Sequence, residues 1–181
     1  MKAPHDEEKL LIWLQLFCFI LSFLIGTTFE YFSEPVSETL LKINAALYIT
    51  GIILLAVKLA REGWDIAAAG FTILAIGWGA FFASLDFSDQ NVGAHIFVSG
   101  FYFILPSTLL IATYKPFPWW IKALLIWCNV PFFMLLQTVK TVEDISRSSW
   151  VPLGFASLHI TSVIFGIFFL MQYRKAKKGK P

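Results

Sequence analysis

Two histidines and a few carboxylates are the residues of this chain best suited to support a reaction. Asp86, Asp89 and His95 lie in one polar stretch, SLDFSDQNVGAHIFVSG, and His159 lies in a later apolar segment. Catalytic Zn²⁺ takes about three nitrogen or oxygen ligands and leaves one position open for water. A set made of His95, His159 and one of the two aspartates predicts a metal-dependent hydrolase or sensor.

Other chemistry fits these residues less well. A haem held by two histidines needs both imidazoles on opposite faces of one ring. His159 lies nine residues below Trp150, or about 13 Å in a helix, so it is not level with His95. The motifs GxSxG, HExxH and CxxC and a phosphate-binding glycine loop are all absent from the sequence. The sequence therefore identifies no cofactor and no nucleophile with its base.

The same residues also have purely structural interpretations. Asp89 or Ser88 can cap the helix that follows by accepting its free amides. Glu38 and Lys42 are spaced for an ion pair on one helix face. The two histidines can serve as hydrogen-bond donors, one at a membrane interface and the other between helices.

Composition identifies the elements that must position these residues. The chain is 57% hydrophobic, 17% aromatic and only 14% charged, which is typical of a membrane protein. A bilayer core of roughly 30 Å needs about 20 mostly apolar residues in a helix. Six segments of that length run from Leu10 to Phe29, Leu40 to Ala60, Ile66 to Leu85, Ala94 to Thr113, Trp119 to Thr138 and Val151 to Tyr173.

These apolar runs are continuous and do not alternate as barrel strands do, so they indicate helices. We expect an all-α, six-transmembrane-helix bundle with short loops, formed as one domain by residues 1–181. The first apolar run is about as long as a full span and its flank, HDEEK, is acidic, which argues against a cleaved signal peptide.

Charge asymmetry between the loops predicts the orientation. With six spans, one side of the membrane holds 11 of the 14 basic residues, and the other holds only Lys42, Lys140 and Arg147. Loops rich in Lys and Arg stay in the cytoplasm, so both termini are predicted there, in a multi-pass protein of the cell (inner) membrane. The basic tail, RKAKKGK, is suited to anchoring the last helix near anionic lipids and less suited to binding nucleic acid.

Small residues predict where helices pack closely. In the third segment Ala75, Gly79 and Ala83 follow one face, which makes this segment our candidate for the central helix. In the sixth segment a small and polar stripe that includes Ser162 and Gly166 is expected to face inward, together with His159. In the fourth, the stripe from His95 through Ser99, Tyr102 and Pro106 is expected to face inward as well.

The predicted topology collects polar residues on the extracytoplasmic side. Glu30, Asp86, Asp89 and His95 lie close to outer helix ends, with Glu143 and Asp144 on the same side, and we expect them to converge on one mouth above His159. The two cysteines, Cys18 and Cys128, fall near mid-membrane and are expected to be buried thiols.

Three stretches carry a resemblance to a known class of protein: EPVSETLLKINAALYITGIILLAVKLA, GFTILAIGWGAFFASLDFS and HIFVSGFYFILPSTLLIA. Over about residues 10–115 the chain resembles small six-helix bacterial membrane proteins of a domain-of-unknown-function type. The resemblance lies in the layout: an acidic loop after the first helix, a small-residue third helix ending near Asp86, and His95 opening the fourth. It implies an architecture and no reaction. A more distant likeness to ceramidase-like membrane hydrolases fails because those place three histidines around zinc.

Two functional hypotheses follow. The first is a non-catalytic accessory or binding subunit that uses its extracytoplasmic polar cluster and its intramembrane faces. The second is a metal-dependent membrane hydrolase or sensor with a site formed by Asp86, His95 and His159. The lack of a third histidine favours the first. The expected partners are membrane lipids and a membrane protein or a second copy of the chain, and not nucleic acid.

Overall fold

The computed structural model describes residues 5–84, 86–87, 89–138, 145 and 147–178, and these are helical almost throughout, with no strand among them. Six helices are long and apolar enough to cross a membrane. They are α1 (His5–Thr28, continued by a 3₁₀ turn, Phe29–Tyr31), α2 (Glu34–Arg61), α3 (Asp65–Ser84), α4 (Gln90–Ala112), α5 (Trp119–Thr138) and α6 (Trp150–Lys178). The predicted number and order of long apolar helices are confirmed. The largest differences are that α1 begins five residues earlier, α2 begins six residues earlier and α6 ends five residues later than predicted.

Short polar segments and prolines set the helix boundaries. Asp89 caps α4 as predicted, because its side chain accepts hydrogen bonds from the amides of Asn91 and Val92. The alternative cap, Ser88, lies outside the described residues. Pro35 stands in the first turn of α2, where its missing N–H costs no hydrogen bond. After α2, Gly63 has a φ of 79°, a backbone conformation that residues with a side chain rarely adopt. The chain reverses direction there and enters α3.

The six helices form a closed ring in which each packs beside its neighbours in sequence and α6 returns to α1. Aromatic side chains fill the interior. Phe155 of α6, for example, lies against Trp78 and Phe81 of α3, with ring centroids 5.1 and 5.2 Å apart. A larger share of α3 is buried than of any other helix, but α3 is one member of the ring and not the central helix that was predicted.

The close packing of α3 uses different small residues from those predicted. Gly79 has no atom within 4 Å of the position that a Cβ would occupy, and Ala83 is exposed, so only Ala75 of the predicted stripe is buried. The contact with α4 instead uses two sets of small residues, each spaced by seven: Gly70, Gly77 and Ser84 on α3, and Gly93, Gly100 and Ser107 on α4. We call these six residues the glycine seam.

Backbones touch along the glycine seam. A Cβ at Gly77 would lie 2.9 Å from the carbonyl oxygen of Gly100, and a Cβ at Gly100 would lie 2.8 Å from that of Gly77. The same closeness recurs between Gly70 and the Ser107 carbonyl, at 2.9 Å. Only small residues allow two helices to approach this far, so the seam sets the separation of α3 and α4.

The sixth helix packs as predicted at two positions. A Cβ at Gly166 would lie 2.7 Å from Leu16 Cδ1 on α1, and Ser162 is buried against α2. The prediction for the fourth helix is wrong: His95 and Pro106 are exposed, and Tyr102 is 65% exposed. That face of α4 points away from the bundle because the seam, roughly on the opposite side of the helix, is the face that packs.

The end of the bundle where α1 begins and α2 ends carries paired charges. Lys58 is buried, pairs with Glu62 on the same helix, and lies 4.9 Å from the centroid of the Phe169 ring. Arg61 reaches Glu7 of α1 at 3.6 Å. Nearby, burial raises the pKa of the Tyr114 hydroxyl, and the charge of Glu62 raises it further. Tyr114 therefore stays neutral at this end.

Candidate functional site

Among the described residues, the largest set of neighbouring buried polar side chains lies where α1, α2 and α6 meet. His159 is 7% exposed, and its Nε2 lies 3.3 Å from Ser22 Oγ and 3.4 Å from Asn44 Oδ1. Ser22 in turn donates to Asn44 Oδ1 and lies 3.3 Å from the Asn44 carbonyl oxygen. We call Ser22, Asn44 and His159 the polar cluster.

The backbone of α6 fixes the ring of His159. Its Nδ1 lies 2.8 Å from the carbonyl oxygen of Phe155, one turn earlier. A carbonyl oxygen only accepts, so Nδ1 carries a proton and donates it. In the neutral ring Nε2 then carries no proton and can only accept a hydrogen bond, and it lies toward Ser22 and Asn44, between α1 and α2.

A second layer of hydrogen bonds lies beside the polar cluster. The Tyr48 hydroxyl is 2.8 Å from Ser162 Oγ and 3.4 Å from the Leu158 carbonyl oxygen. The Tyr48 ring lies 4.8 Å from the His159 ring and 4.0 Å from that of Trp78. The imidazole therefore has aromatic surface on one side and hydrogen-bonding groups on the other.

Helical spacing explains why these residues meet. Asn44 and Tyr48 are four residues apart on α2, and His159 and Ser162 are three apart on α6, so each pair shares one helix face. On α1, Ser22 continues the buried stripe of Ile12, Gln15 and Phe19. The three stripes face one another because α1 packs between α2 and α6 in the ring.

The far end of the bundle, meaning the end that holds Lys42 and Asp86, has its own ion group. Lys42 Nζ lies 3.1 Å from Glu38 and 3.0 Å from Asp86, so it links α2 to the turn after α3. The predicted ion pair of Glu38 and Lys42 is confirmed. These side chains are between 39% and 62% exposed, so solvent weakens the pairs.

The structure does not bring the predicted mouth residues together as one site. Asp86 pairs with Lys42, Asp89 caps α4, and His95 is exposed on the outer face of α4. His159 lies in the polar cluster, and Glu30 is exposed in the 3₁₀ turn after α1. Glu143 and Asp144 lie outside the described residues.

These positions bear directly on the metal hypothesis. Within the described ranges, no group of three His, Cys, Asp or Glu side chains could hold a metal ion. His159 has Ser, Asn and Tyr neighbours, none of which is a usual zinc ligand. The polar cluster therefore has the chemistry of interhelical hydrogen bonding.

Sequence reasoning places His159 inside the bundle, as an interhelical donor, but does not identify its partners. Nothing in the sequence distinguishes Ser22 and Tyr48, and Asn44 is only one of a few polar residues in the spans. The sequence feature that could have pointed to α2 is the spacing of Asn44 and Tyr48, which puts both on one face of a mostly apolar helix. Which face of α1 meets them cannot be read from spacing alone.

Further polar groups lie within the bundle. Thr108 donates to Asn129 Oδ1 at 2.7 Å, which links α4 to α5. Cys128 Sγ lies 3.2 Å from Thr161 Oγ1, which links α5 to α6. Both cysteines are buried free thiols, as predicted. Gln15 is fully buried, and neither amide atom has a hydrogen-bond partner in the described part of the chain.

Comparison with known proteins gives no further assignment. No family model, no curated protein and no solved structure matches this chain, so the layout resemblance to six-helix bacterial membrane proteins remains a prediction.

Proposed function

We propose that this chain is an integral membrane protein that acts without catalysis, as an accessory or binding subunit, and contacts its partner inside the bilayer. The six long apolar helices support the membrane placement. The excess of basic residues on one side supports a cell-membrane location with both termini in the cytoplasm. The far end of the bundle is then extracytoplasmic.

The outward face of α4 is the observation that carries the proposal. Tyr102 lies near the middle of this 23-residue helix and is 65% exposed. His95 and Pro106 are exposed on the same face. A hydroxyl at mid-membrane that met only lipid would have no hydrogen-bond partner, which is unfavourable. A helix of a partner protein, or of a second copy, would supply one.

The side chains that could support a reaction already contact other groups of the protein, which supports a non-catalytic role. Asp86 and Asp89 are already engaged, the first with Lys42 and the second with backbone amides. The imidazole of His159 is enclosed, its Nδ1 is bonded to the Phe155 carbonyl of its own helix, and its Nε2 lies 3.3 Å from Ser22 Oγ of α1. No observation in the described residues favours the alternative of a metal-dependent hydrolase or sensor built from Asp86, His95 and His159.

Site-specific photo-crosslinking in native membranes tests the proposal. A photoreactive amino acid replaces Tyr102 in one variant and Ile126 in the control, since Ile126 is similarly exposed, at 57%, on the neighbouring helix α5. We expect a protein adduct of defined mass only from position 102. A mass of twice the chain would identify a second copy as the partner. Lipid adducts alone from both positions would contradict the proposal.

A further inference from the structure

An exposed group of aromatic and basic side chains lies where α4 turns into α5, in the stretch KPFPWWIK. Trp119 and Trp120 begin α5 and are 79% and 46% exposed. Lys115 is exposed in the turn that leads to them. Lys122 is half-buried in the first turn of α5, three residues after Trp119, so these two side chains are neighbours on one helix face. We call these four residues the tryptophan patch.

Buried aromatic rings fix the turn that carries the tryptophan patch. Tyr114 and Phe117, on either side of Lys115, are both buried. The Phe117 ring stacks on that of Phe165 of α6, with the centroids 5.2 Å apart. The Tyr114 ring meets the edge of Trp64, just before α3, at 5.0 Å. The turn is therefore packed against two other parts of the bundle, and a fixed backbone lowers the entropy cost of binding a ligand.

The lysines of the tryptophan patch differ from other basic residues at the same end of the bundle. Lys58 and Arg61 each pair with a glutamate. Lys115 and Lys122 form no ion pair with any residue that the structure describes. The patch therefore presents positive charge that an anion from outside the chain can neutralise.

The exposed tryptophans indicate where this anion lies. Indole rings prefer the boundary between lipid headgroups and hydrocarbon, so Trp119 and Trp120 place the two lysines at the level of the headgroups. The phosphate groups of membrane lipids lie at the same level. A zwitterionic lipid carries its own cation beside its phosphate, whereas an anionic lipid has no such cation. Unpaired lysines therefore favour the anionic lipid.

We propose that the tryptophan patch binds the phosphate of an anionic glycerophospholipid. Lys115 and Lys122 supply the positive charge, and the two indole rings contact the upper part of the lipid chains. In the predicted orientation this lipid belongs to the cytoplasmic leaflet. The inference depends on the membrane placement proposed above and not on the protein partner at α4.

Native mass spectrometry of the full chain, released in detergent, tests the inference. The probes are phosphatidylglycerol, which is anionic, and phosphatidylcholine, which is zwitterionic, with identical chains and in equal amounts. We expect phosphatidylglycerol to bind more tightly, by about fivefold for each lysine of the patch, the usual effect of one basic residue close to anionic lipid. Equal binding of the two lipids by the parent chain would overturn the inference.

Charge variants locate the effect. The double variant Lys115→Gln, Lys122→Gln should lose most of the preference for phosphatidylglycerol, and the double variant with Arg at both positions should keep it. The matched control is Arg174→Gln, Lys175→Gln, which removes two exposed charges near the end of α6 and should keep most of the preference.

Two results of this comparison would exclude the site. One is a preference that survives in the Gln variant of the patch, and the other is an equal loss in that variant and in the α6 control. If the double Gln variant does not fold, Lys115→Gln alone, at an exposed position, should lower the preference about fivefold. An unchanged preference in this single variant would likewise contradict the inference.

The result is independent of the crosslinking experiment. Equal binding of the two lipids together with a protein adduct at Tyr102 would reject the lipid site and keep the proposed function. A chain that stays dispersed without detergent would reject the membrane placement on which both proposals depend.

Discussion

At the scale of single residues, hydrogen-bond satisfaction distinguishes the two histidines. His159 is buried, with its Nδ1 bonded to the Phe155 carbonyl and its Nε2 near polar groups of α1 and α2, whereas His95 is exposed on α4. Buried polar groups stabilise a fold only as long as their partners remain, so removing a buried partner costs more than removing an exposed one. The two residues therefore provide a matched comparison.

We expect His159→Ala to lower the free energy of unfolding by about 1–2 kcal/mol, because it removes a buried ring that lies between α1 and α2 and leaves Ser22 and Asn44 beside a cavity. His95→Ala, the control, should change it by less than about 0.5 kcal/mol, as is usual at exposed positions. Unfolding in mixed micelles, followed by circular dichroism, measures both. Equal effects would show that His159 does not hold the three helices together.

Gln15 presents the opposite case. Its amide is fully buried and lacks a partner in the described chain, so it contributes a desolvation cost without a compensating hydrogen bond. We expect Gln15→Met, which keeps the length of the side chain, to raise the free energy of unfolding by about 1 kcal/mol. The control is Gln137→Met, at an exposed position near the end of α5. Destabilisation by Gln15→Met would mean that a bound water satisfies the amide.

At the scale of elements, the glycine seam determines how α3 and α4 pair. Its two sets of small residues run antiparallel, so that Gly70 meets Ser107 and Gly77 meets Gly100. Seven residues are close to two helical turns, so each set stays on one face across the span. Gly79 lies off this face and meets no other atom.

We expect Gly77→Ala to destabilise the protein by about 1–3 kcal/mol, because the added methyl group would force two backbones apart. Gly79→Ala, the control, should be neutral or slightly stabilising, since alanine is the better helix former and the space is open. Thermal unfolding in detergent compares them. If Gly79→Ala were the more damaging variant, the seam would lie on the other face of α3.

At the scale of the whole molecule, charges lie at both ends of a ring whose described interior is mostly apolar. Lys58 and Arg61 lie at the end where α1 begins, and Lys42 and Asp86 at the far end. The excess of basic residues at the first end leads us to expect that end in the cytoplasm. Single cysteines placed at each end test this orientation.

Phe87 is exposed in the turn before α4, and Lys115 is exposed between α4 and α5. On intact cells, a membrane-impermeant maleimide should label Phe87→Cys and leave Lys115→Cys unmodified. After the membrane is opened, both should react. Cys18 and Cys128 are buried, so the parent chain provides the background. Labelling of Lys115→Cys alone on intact cells would reverse the predicted orientation.

The features that could be predicted are those that depend on local pattern. The six long helices follow from the length of apolar runs, the Asp89 cap from one side chain and the amides beside it, and the ion pair of Glu38 and Lys42 from spacing on one helix. The inward position of His159 also follows from its stripe on α6. Each of these needs information from one element only.

The predictions that failed concerned the faces of α3 and α4. The third segment contains small residues spaced by four and by seven, and sequence spacing ranks neither pattern above the other. Choosing the four-residue set places Gly79 in a contact that it does not make. The polar stripe of α4 is predicted to face inward because polar residues usually avoid lipid. The glycine seam packs the other face, which leaves Tyr102 outside.

The sequence by itself determined that this protein consists of long apolar helices with short charged connections, because continuous apolar runs of this length satisfy their backbone hydrogen bonds without water only as helices. It also determined which residues have chemistry to offer. Only the tertiary structure decided which of them meet: Asp86 with Lys42, and His159 with Ser22 and Asn44. The physical reason is that the rotation of each helix about its axis depends on packing against its neighbours, and one sequence pattern is compatible with several rotations.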